Sequence, residues 1–228
     1  MAFKDGDFVK VDYSLWRTAD NELMRTTEKK LAEEKGIYNE EVRYMPQLII
    51  IGKDNALKAL WDALKTMDVG QSRKLELEPK DAFGERDQNL VRVMPVADFR
   101  KKEIEPRPGM QIDIDGVIAT IKSVNSGRVM VDANNPLAGE KVRYELRVVS
   151  KVEKDDEKVK VIAETYALEP DRVEMREGQA RVFFGLKTKM NADYFVNKNY
   201  LVNAVLEYMP DVKKVVVEEE YERLQEKK

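Results

Sequence analysis

The sequence predicts an α+β protein in three parts: an antiparallel sheet wrapped on one helix, a small β-rich insert that interrupts it, and a C-terminal α+β module. Three observations carry this expectation. Phe8 to Trp16 and Val142 to Val148 alternate apolar and polar residues with the period of two that marks a half-buried strand. Between them Ala56, Leu57, Leu60, Ala63, Leu64 and Met67 recur at three- and four-residue steps, the stripe of a helix packed on a sheet. From Asp87 to Val131 the pattern changes to short strands broken by turns, so the strands on either side close one domain around an insert.

In chain order, Val9, Val11, Tyr13 and Leu15 share one face of the first strand, which turns Tyr13 inward. Thr27 to Lys35 reads as a short helix inside a long polar connection and is closed by Gly36. Leu48 to Ile51, ended by Gly52, has the length and β-branching of a buried strand. Asp54 or Asn55 then stands as N-cap of the amphipathic helix. Leu75 and Leu77 alternate with Lys74, Glu76 and Glu78 in a strand that Pro79 ends. Within the insert, strands are expected at Leu90 to Met94, Met110 to Ile114, Val117 to Val124 and Arg128 to Val131. A hairpin turn is expected at Asn125 to Gly127, and a helical turn and loop over Phe99 to Gly109. Asp113 and Asp115 read as the wet face of a strand, and Lys101 and Lys102 as a solvated loop.

After the strand at Val142 to Val148 the chain is expected to leave through the charged run Glu153 to Lys158. The last part then reads as a helix at Val159 to Leu168 and strands at Val173 to Met175 and Ala180 to Thr188. A helix carrying Leu201, Val205 and Met209 and a final strand at Val212 to Val217 complete it. The boundaries expected from these patterns are 1–86 with 132–152 for the split domain, 87–131 for the insert and 153–228 for the C-terminal module.

Composition removes whole classes of chemistry. The chain has no His and no Cys, which excludes Ser-His-Asp and Cys-His nucleophiles, an imidazole base, disulfides and the usual zinc ligand sets. A formal charge of -3 lacks the concentrated basic face that phosphate neutralisation needs, so nucleic acid is not an expected partner. No apolar run approaches the ~18 residues of a membrane span. Met1 to Asp7 has no apolar leader segment. A soluble, cytoplasmic protein without metal or cofactor is expected.

Two motifs are more specific than the periodicities. Ala82-Phe-Gly-Glu-Arg-Asp87 and Asn134-Asn-Pro-Leu-Ala-Gly139 stand on either side of the insert, each beside the expected strand. With their flanking elements they resemble the two halves of an FKBP-type prolyl isomerase whose flap carries an inserted domain, the SlyD-like and archaeal long-form branch. The resemblance implies an FKBP-like fold and rotation about the imide bond before proline. That rotation meets a barrier of roughly 18–20 kcal/mol because resonance is broken on twisting. No nucleophile is needed. An apolar aromatic bowl that desolvates the imide favours the less polar twisted form, and each ~1.4 kcal/mol gives a tenfold rate.

By this resemblance the bowl is lined by Tyr13, Met24, Arg25, Ala56, Leu57, Leu60, Phe83, Leu137 and Tyr144. Tyr13, Leu57, Leu60, Leu137 and Tyr144 keep the family's character, and Ala56 is a smaller version. The chain departs from the pattern at Met24-Arg25, where an apolar residue followed by Asp is usual, and at Gln47, where an aromatic often stands. Phe83 replaces a Tyr, and Asn135 replaces a His. Arg25 is the largest departure, because a guanidinium cannot accept the phenol hydrogen bond that a carboxylate takes.

The insert is similar to the insert-in-flap domain that grips unfolded chains in related proteins. Its candidate client-binding residues are Val93, Met94, Val96, Phe99, Met110 and Ile112; methionine adapts to irregular partners. The same six side chains equally suit a small core of the insert's own. Two readings therefore stand side by side. One is a peptidyl-prolyl isomerase that assists folding, acting on proline-containing peptides and unfolded or nascent proteins through the insert. The other is a holdase or assembly module on the same fold with an impaired pocket. The final apolar strand also offers a homodimer contact through the C-terminal domain.

Overall fold

The structure is a computed structural model and describes residues 3–114, 116–185 and 192–221. The elements in order are β1 (Phe8–Arg17), β2 (Glu22–Thr26), α1 (Lys29–Glu34), β3 (Gln47–Ile50), α2 (Lys58–Leu64), β4 (Ser72–Leu77) and β5 (Val91–Pro95). They continue with α3 (Val96–Arg100), β6 (Gln111–Ile114), β7 (Val117–Asn125), β8 (Arg128–Asp132), β9 (Val142–Val152) and α4 (Asp155–Thr165). The chain ends with β10 (Arg172–Arg176), β11 (Gln179–Phe184), α5 (Tyr194–Tyr208) and β12 (Lys214–Glu219). This is the α+β class read from the sequence. The expected ends of one strand at Thr188 and of the wet face at Asp115 lie outside the described residues.

The chain divides into two compact units, one comprising Met1–Leu15, Leu23–Leu75 and Tyr144–Lys228 and the other Trp16–Glu22 and Glu76–Arg143. A five-stranded sheet has the order β2-β1-β9-β4, with β3 also paired to β1. The two sequence segments that flank the insert thus meet in one sheet, since β9 returns between β1 and β4. The first four residues of β1 pair antiparallel with β3, from Phe8 opposite Ile50 to Val11 opposite Gln47. Beyond them the backbone of Tyr13 turns to the end of β2, where the Thr27 N–H donates to the Tyr13 carbonyl at 3.0 Å. β1 therefore changes partners along one edge at Asp12.

Helix α2 begins later than its apolar pattern suggests. Its cap position is Leu57, in extended conformation and without a side-chain cap, so the N-cap expected at Asp54 or Asn55 is corrected. The Asp54 carboxylate has other work. It accepts the Ile50 and Ala56 N–H groups at 2.7 and 3.1 Å and the Trp61 indole N–H at 2.9 Å, closing the loop between β3 and α2. Leu60, Ala63, Leu64 and Met67 are buried as the stripe predicts.

The C-terminal segment has its own sheet, β10-β11-β12, in which β12 runs parallel to β11. A parallel neighbour needs a crossover, and α5 supplies it. The core of this segment takes in Phe8, Ile50 and Val152 alongside Ile162, Leu168, Val182, Phe184, Leu201 and Val205. The first sheet and the C-terminal segment therefore share one apolar interior. The charged run expected as an exit from the split domain is instead the opening of α4, with Asp155, Asp156 and Glu157 in its first turn. Acidic side chains there suit the positive end of the helix dipole.

In the other unit a four-stranded sheet of order β5-β8-β7-β6 surrounds Phe99, Ile112, Ala119, Ile121, Val129 and Val131. The turn between β7 and β8 has Ser126 and Gly127 both at positive φ, 49° and 78°, with Asn125 opposite Arg128. These are the angles of the two-residue hairpin turn whose twist matches its strands. No helix among the described residues is long and apolar enough to cross a membrane.

Candidate functional site

The aromatic centre of the first unit is built from two neighbouring strands. Tyr13 on β1 and Tyr144 on β9 bring their rings to a centroid distance of 5.8 Å, tilted by 46°. Tyr144 is buried and Tyr13 half-buried, a tilted pair of the kind that aromatic quadrupoles favour. The backbone under Tyr13 is locked. Its N–H donates to Thr27 Oγ1 at 3.0 Å, Thr27 Oγ1 donates to Asp12 Oδ1 at 3.1 Å, and Arg147 Nη2 donates to Asp12 Oδ2 at 2.6 Å. Asp12 on the opposite face of β1 thus sets the ring through the main chain.

Burial pushes the Tyr144 phenol up to about 12, helped by the neighbouring Tyr13 and opposed by the Arg25 guanidinium. Burial likewise raises Tyr13, again against Arg25. Both rings are therefore neutral at ordinary pH. Arg25, on β2, is exposed, yet its charge is felt by both phenols. Among the described residues the Tyr13 hydroxyl has no hydrogen-bond partner; a guanidinium has no lone pair to accept from it. Met24, the residue before it, is half-buried.

Leu57 and Ala56 are half-buried at the start of α2, and Leu60 is buried one turn on. Their position follows from the Asp54 loop closure, which fixes where the helix starts. Arg25 also lines a cavity of about 330 Å³ with Lys10, Gln47 and Leu48 from the β1–β3 edge and Glu164 from α4. Periodicity shows neither Lys10 nor Glu164 as a site residue, because their meeting depends on how α4 packs; a 2.8 Å ion pair joins them.

The two sequence motifs meet in the second unit. The Gly139 N–H donates to the Gly84 carbonyl at 2.8 Å, the Asp87 N–H donates to Asn134 Oδ1 at 2.9 Å and Asn134 Nδ2 donates to the Asp87 carbonyl at 2.9 Å. Arg86 pairs with the buried Asp132. Burial pushes the Asp132 carboxyl up, but the Asn134 side-chain and backbone donors together with Arg86 and Lys122 outweigh it and hold it below the usual carboxylate range. Chain entry into the insert and exit from it are thereby clamped side by side. Phe83 is half-buried and Leu137 is buried.

Of the six insert residues singled out for client binding, Phe99 and Ile112 are buried in the insert's core, and Met94 and Val96 pack partly against it. They lie inward because four strands with one short helix have few other side chains to bury. Val93 is 59% exposed and Met110 40%. Met94, Phe99, Ile104, Ile112 and Ile114 also line a shallow apolar groove of about 50 Å³.

The chain matches two family models: FKBP-type peptidyl-prolyl cis-trans isomerase over residues 1–100 and "FKBP26, IF domain" over residues 92–137. It is 32% identical over 145 residues to a short-type peptidyl-prolyl cis-trans isomerase of Methanocaldococcus jannaschii, a match covering 64% of this chain and 91% of that one. It is 28% identical to the FKBP-type isomerase SlyD of Helicobacter pylori, over half of this chain and 63% of the relative. A multi-domain immunophilin structure from Arabidopsis thaliana matches at 12% identity and a TM-score of 0.31, over 72% of this chain and 50% of its own.

Proposed function

The chain belongs to the FKBP-type peptidyl-prolyl cis-trans isomerase family, and from that premise we propose that it assists protein folding, with the imide before proline desolvated against Tyr13 and Tyr144. The observation that carries the reading is the paired rings, neutral, one buried and one half-buried, mounted on adjacent strands. A planar imide carries charge separation that water stabilises. Moving it from water onto two rings lowers the cost of twisting, in the sense that the site binds the less polar transition state better than the ground state. Leu57, Leu60, Ala56 and Met24 extend the apolar surface in this reading, and no cofactor takes part.

Client chains are held by the insert, residues 87–131, in this reading. Its support is the apolar groove containing Met94 and, separately, the exposure of Val93 and Met110 on the insert. The remaining divisions follow as proposed, 1–86 with 132–152 for the isomerase domain and 153–228 for a C-terminal domain. That last domain exposes Phe195, Val196, Tyr200 and Leu206 on α5, which supports self-association there. The final strand is already paired inside its own sheet. The protein is read as cytoplasmic, acting on proline-containing peptides and unfolded or nascent proteins rather than on nucleic acid or membranes.

Exchange NMR on an Ala-Leu-Pro-Phe type peptide tests the catalytic part, with accelerated cis to trans exchange expected. A holdase or assembly module is the second reading, favoured by the Arg25 charge beside the rings. It predicts background exchange together with suppressed aggregation of an unfolded client. On that reading Arg25→Asp raises the exchange rate.

A further inference from the structure

Arg25 and Gln47, the two places where an acid and an aromatic are replaced by polar side chains, open onto one cavity. It occupies the point where β1 changes partners from β3 to β2. Its volume is about 330 Å³, and Lys10, Arg25, Arg43, Gln47, Leu48 and Glu164 are among its walls. The charges do not balance. Lys10 is neutralised by Glu164 at 2.8 Å and Arg43 by Glu169 at 2.7 Å, whereas Arg25 has no ion pair among the described residues. The same guanidinium lowers both phenols against the effect of burial. Arg25 thus lines the cavity from the strand that pairs beside Tyr13, with the Gln47 amide as a neighbouring donor.

We propose that this cavity is a subsite for an anionic side chain flanking the client's proline, with Arg25 as the specificity-determining residue. The proposal rests on the isomerase reading above. Arg25 stands on β2 two residues before Thr27, whose N–H donates to the Tyr13 carbonyl at 3.0 Å, so a peptide whose proline lies against Tyr13 and Tyr144 places a neighbouring side chain on the Arg25 side of the rings. A carboxylate or phosphate there accepts from Arg25 and Gln47 and supplies the missing countercharge. Leu48, Val161 and Ala167 give the wall an apolar part that accommodates the methylene stem. A substrate cation in the same place meets Arg25 unscreened, so Lys beside proline is disfavoured.

The test compares short peptides with Glu, phosphoserine, Gln or Lys placed immediately before and, in a second series, immediately after proline. Catalysed exchange is measured by NMR, and binding by titration while the Tyr13 and Tyr144 ring signals are followed. The Glu peptide, the phosphoserine peptide or both are expected to exceed the Gln peptide in kcat/KM by roughly fivefold at low salt in at least one series, the scale of a partly exposed charge pair. Lys falls below Gln. The preference shrinks in high salt, and the anion-to-Gln ratio falls to near one in Arg25→Gln. Lys154→Gln, at an exposed cation paired with Glu157 and outside the cavity wall, keeps the ratio. A phosphoserine advantage without a Glu advantage assigns the subsite to phosphorylated clients, and the reverse assigns it to acidic ones. Equal rates for Glu, phosphoserine and Gln in both series overturn the subsite and leave the isomerase reading intact. If no peptide is accelerated, the isomerase reading fails, and the titration then decides the subsite: equal affinities for anionic and neutral peptides overturn it.

Discussion

Asp54 Oδ1 accepts the Trp61 indole N–H at 2.9 Å while its second oxygen accepts the Ile50 N–H at 2.7 Å, so one carboxylate ties the end of β3 to the second turn of α2. Leu57 and Leu60 lie between those anchor points in sequence and owe their places to it. Asp54→Ala removes the acceptor of three donors and is expected to destabilise the protein by about 2–3 kcal/mol. Urea unfolding followed by tryptophan fluorescence measures this. Asp54→Asn, which keeps one oxygen, should lose less; equal losses would show that the bonds to the retained oxygen contribute little.

The aromatic pair predicts a split between ring and hydroxyl. If desolvation by the rings drives catalysis, Tyr144→Ala lowers kcat/KM at least about tenfold, whereas Tyr144→Phe keeps most of the rate. Both phenols titrate above their ordinary value, so they stay neutral through the neutral range. The rate on an uncharged peptide is therefore expected to be flat from about pH 6 to 9. A rate that falls with the phenol alone would assign the hydroxyl a direct role.

Glu219 predicts acid sensitivity in the C-terminal segment. Hydrogen bonds from Lys198, then Tyr221 and Tyr194, outweigh burial and pull its carboxyl from 4.5 down to about 2. A depressed folded value means that the unfolded chain binds the proton more readily. The stabilisation is complete above about pH 4.5 and is lost as pH falls toward 2. Glu219→Gln should lower the thermal midpoint at pH 7 and flatten its decline over that window, read by calorimetry. Parallel pH profiles would mean that the group carries no linkage.

The clamp at Asp87 and Asn134 makes removal of the insert feasible. Joining residue 87 to residue 131 by a short flexible linker bridges two chain segments that Asp87 and Asn134 already tie together. The shortened protein is expected to keep its short-peptide exchange rate within about twofold, with the rings unaltered. It should no longer suppress aggregation of an unfolded client in a light-scattering assay. Suppression that survives places client binding elsewhere.

The α5 face gives a direct test of self-association. Phe195 is 64% exposed and Tyr200 53%, large side chains that self-association would cover. Phe195→Lys with Tyr200→Glu is expected to turn a dimer into a monomer by multi-angle light scattering. An unchanged mass, whether monomer or dimer, removes this face from consideration.

Much of this was legible in the residues alone. The period-two alternation of Val9, Val11, Tyr13 and Leu15 placed Tyr13 on one face of a strand, because successive side chains of a strand must point to opposite sides. The stripe from Leu60 to Met67 gave the buried face of α2 for the equivalent reason on a helix. The motifs at Ala82 and Asn134 marked the split around the insert, and Ser126-Gly127 the hairpin, because those turns demand residues that tolerate positive φ. Local rules settle what a segment becomes. They do not settle which segments meet. That Asp54 serves the loop and Trp61 rather than capping the helix, that the Glu153 to Lys158 run opens α4, and that Phe8 and Ile50 share a core with Leu201 all depend on contacts between residues far apart in the chain. The direction of Arg25 belongs with them: its charge type was plain in the sequence, but its role depends on the Tyr13–Tyr144 pair and on the cavity that α4 helps to wall, which exist only when distant strands and helices have packed.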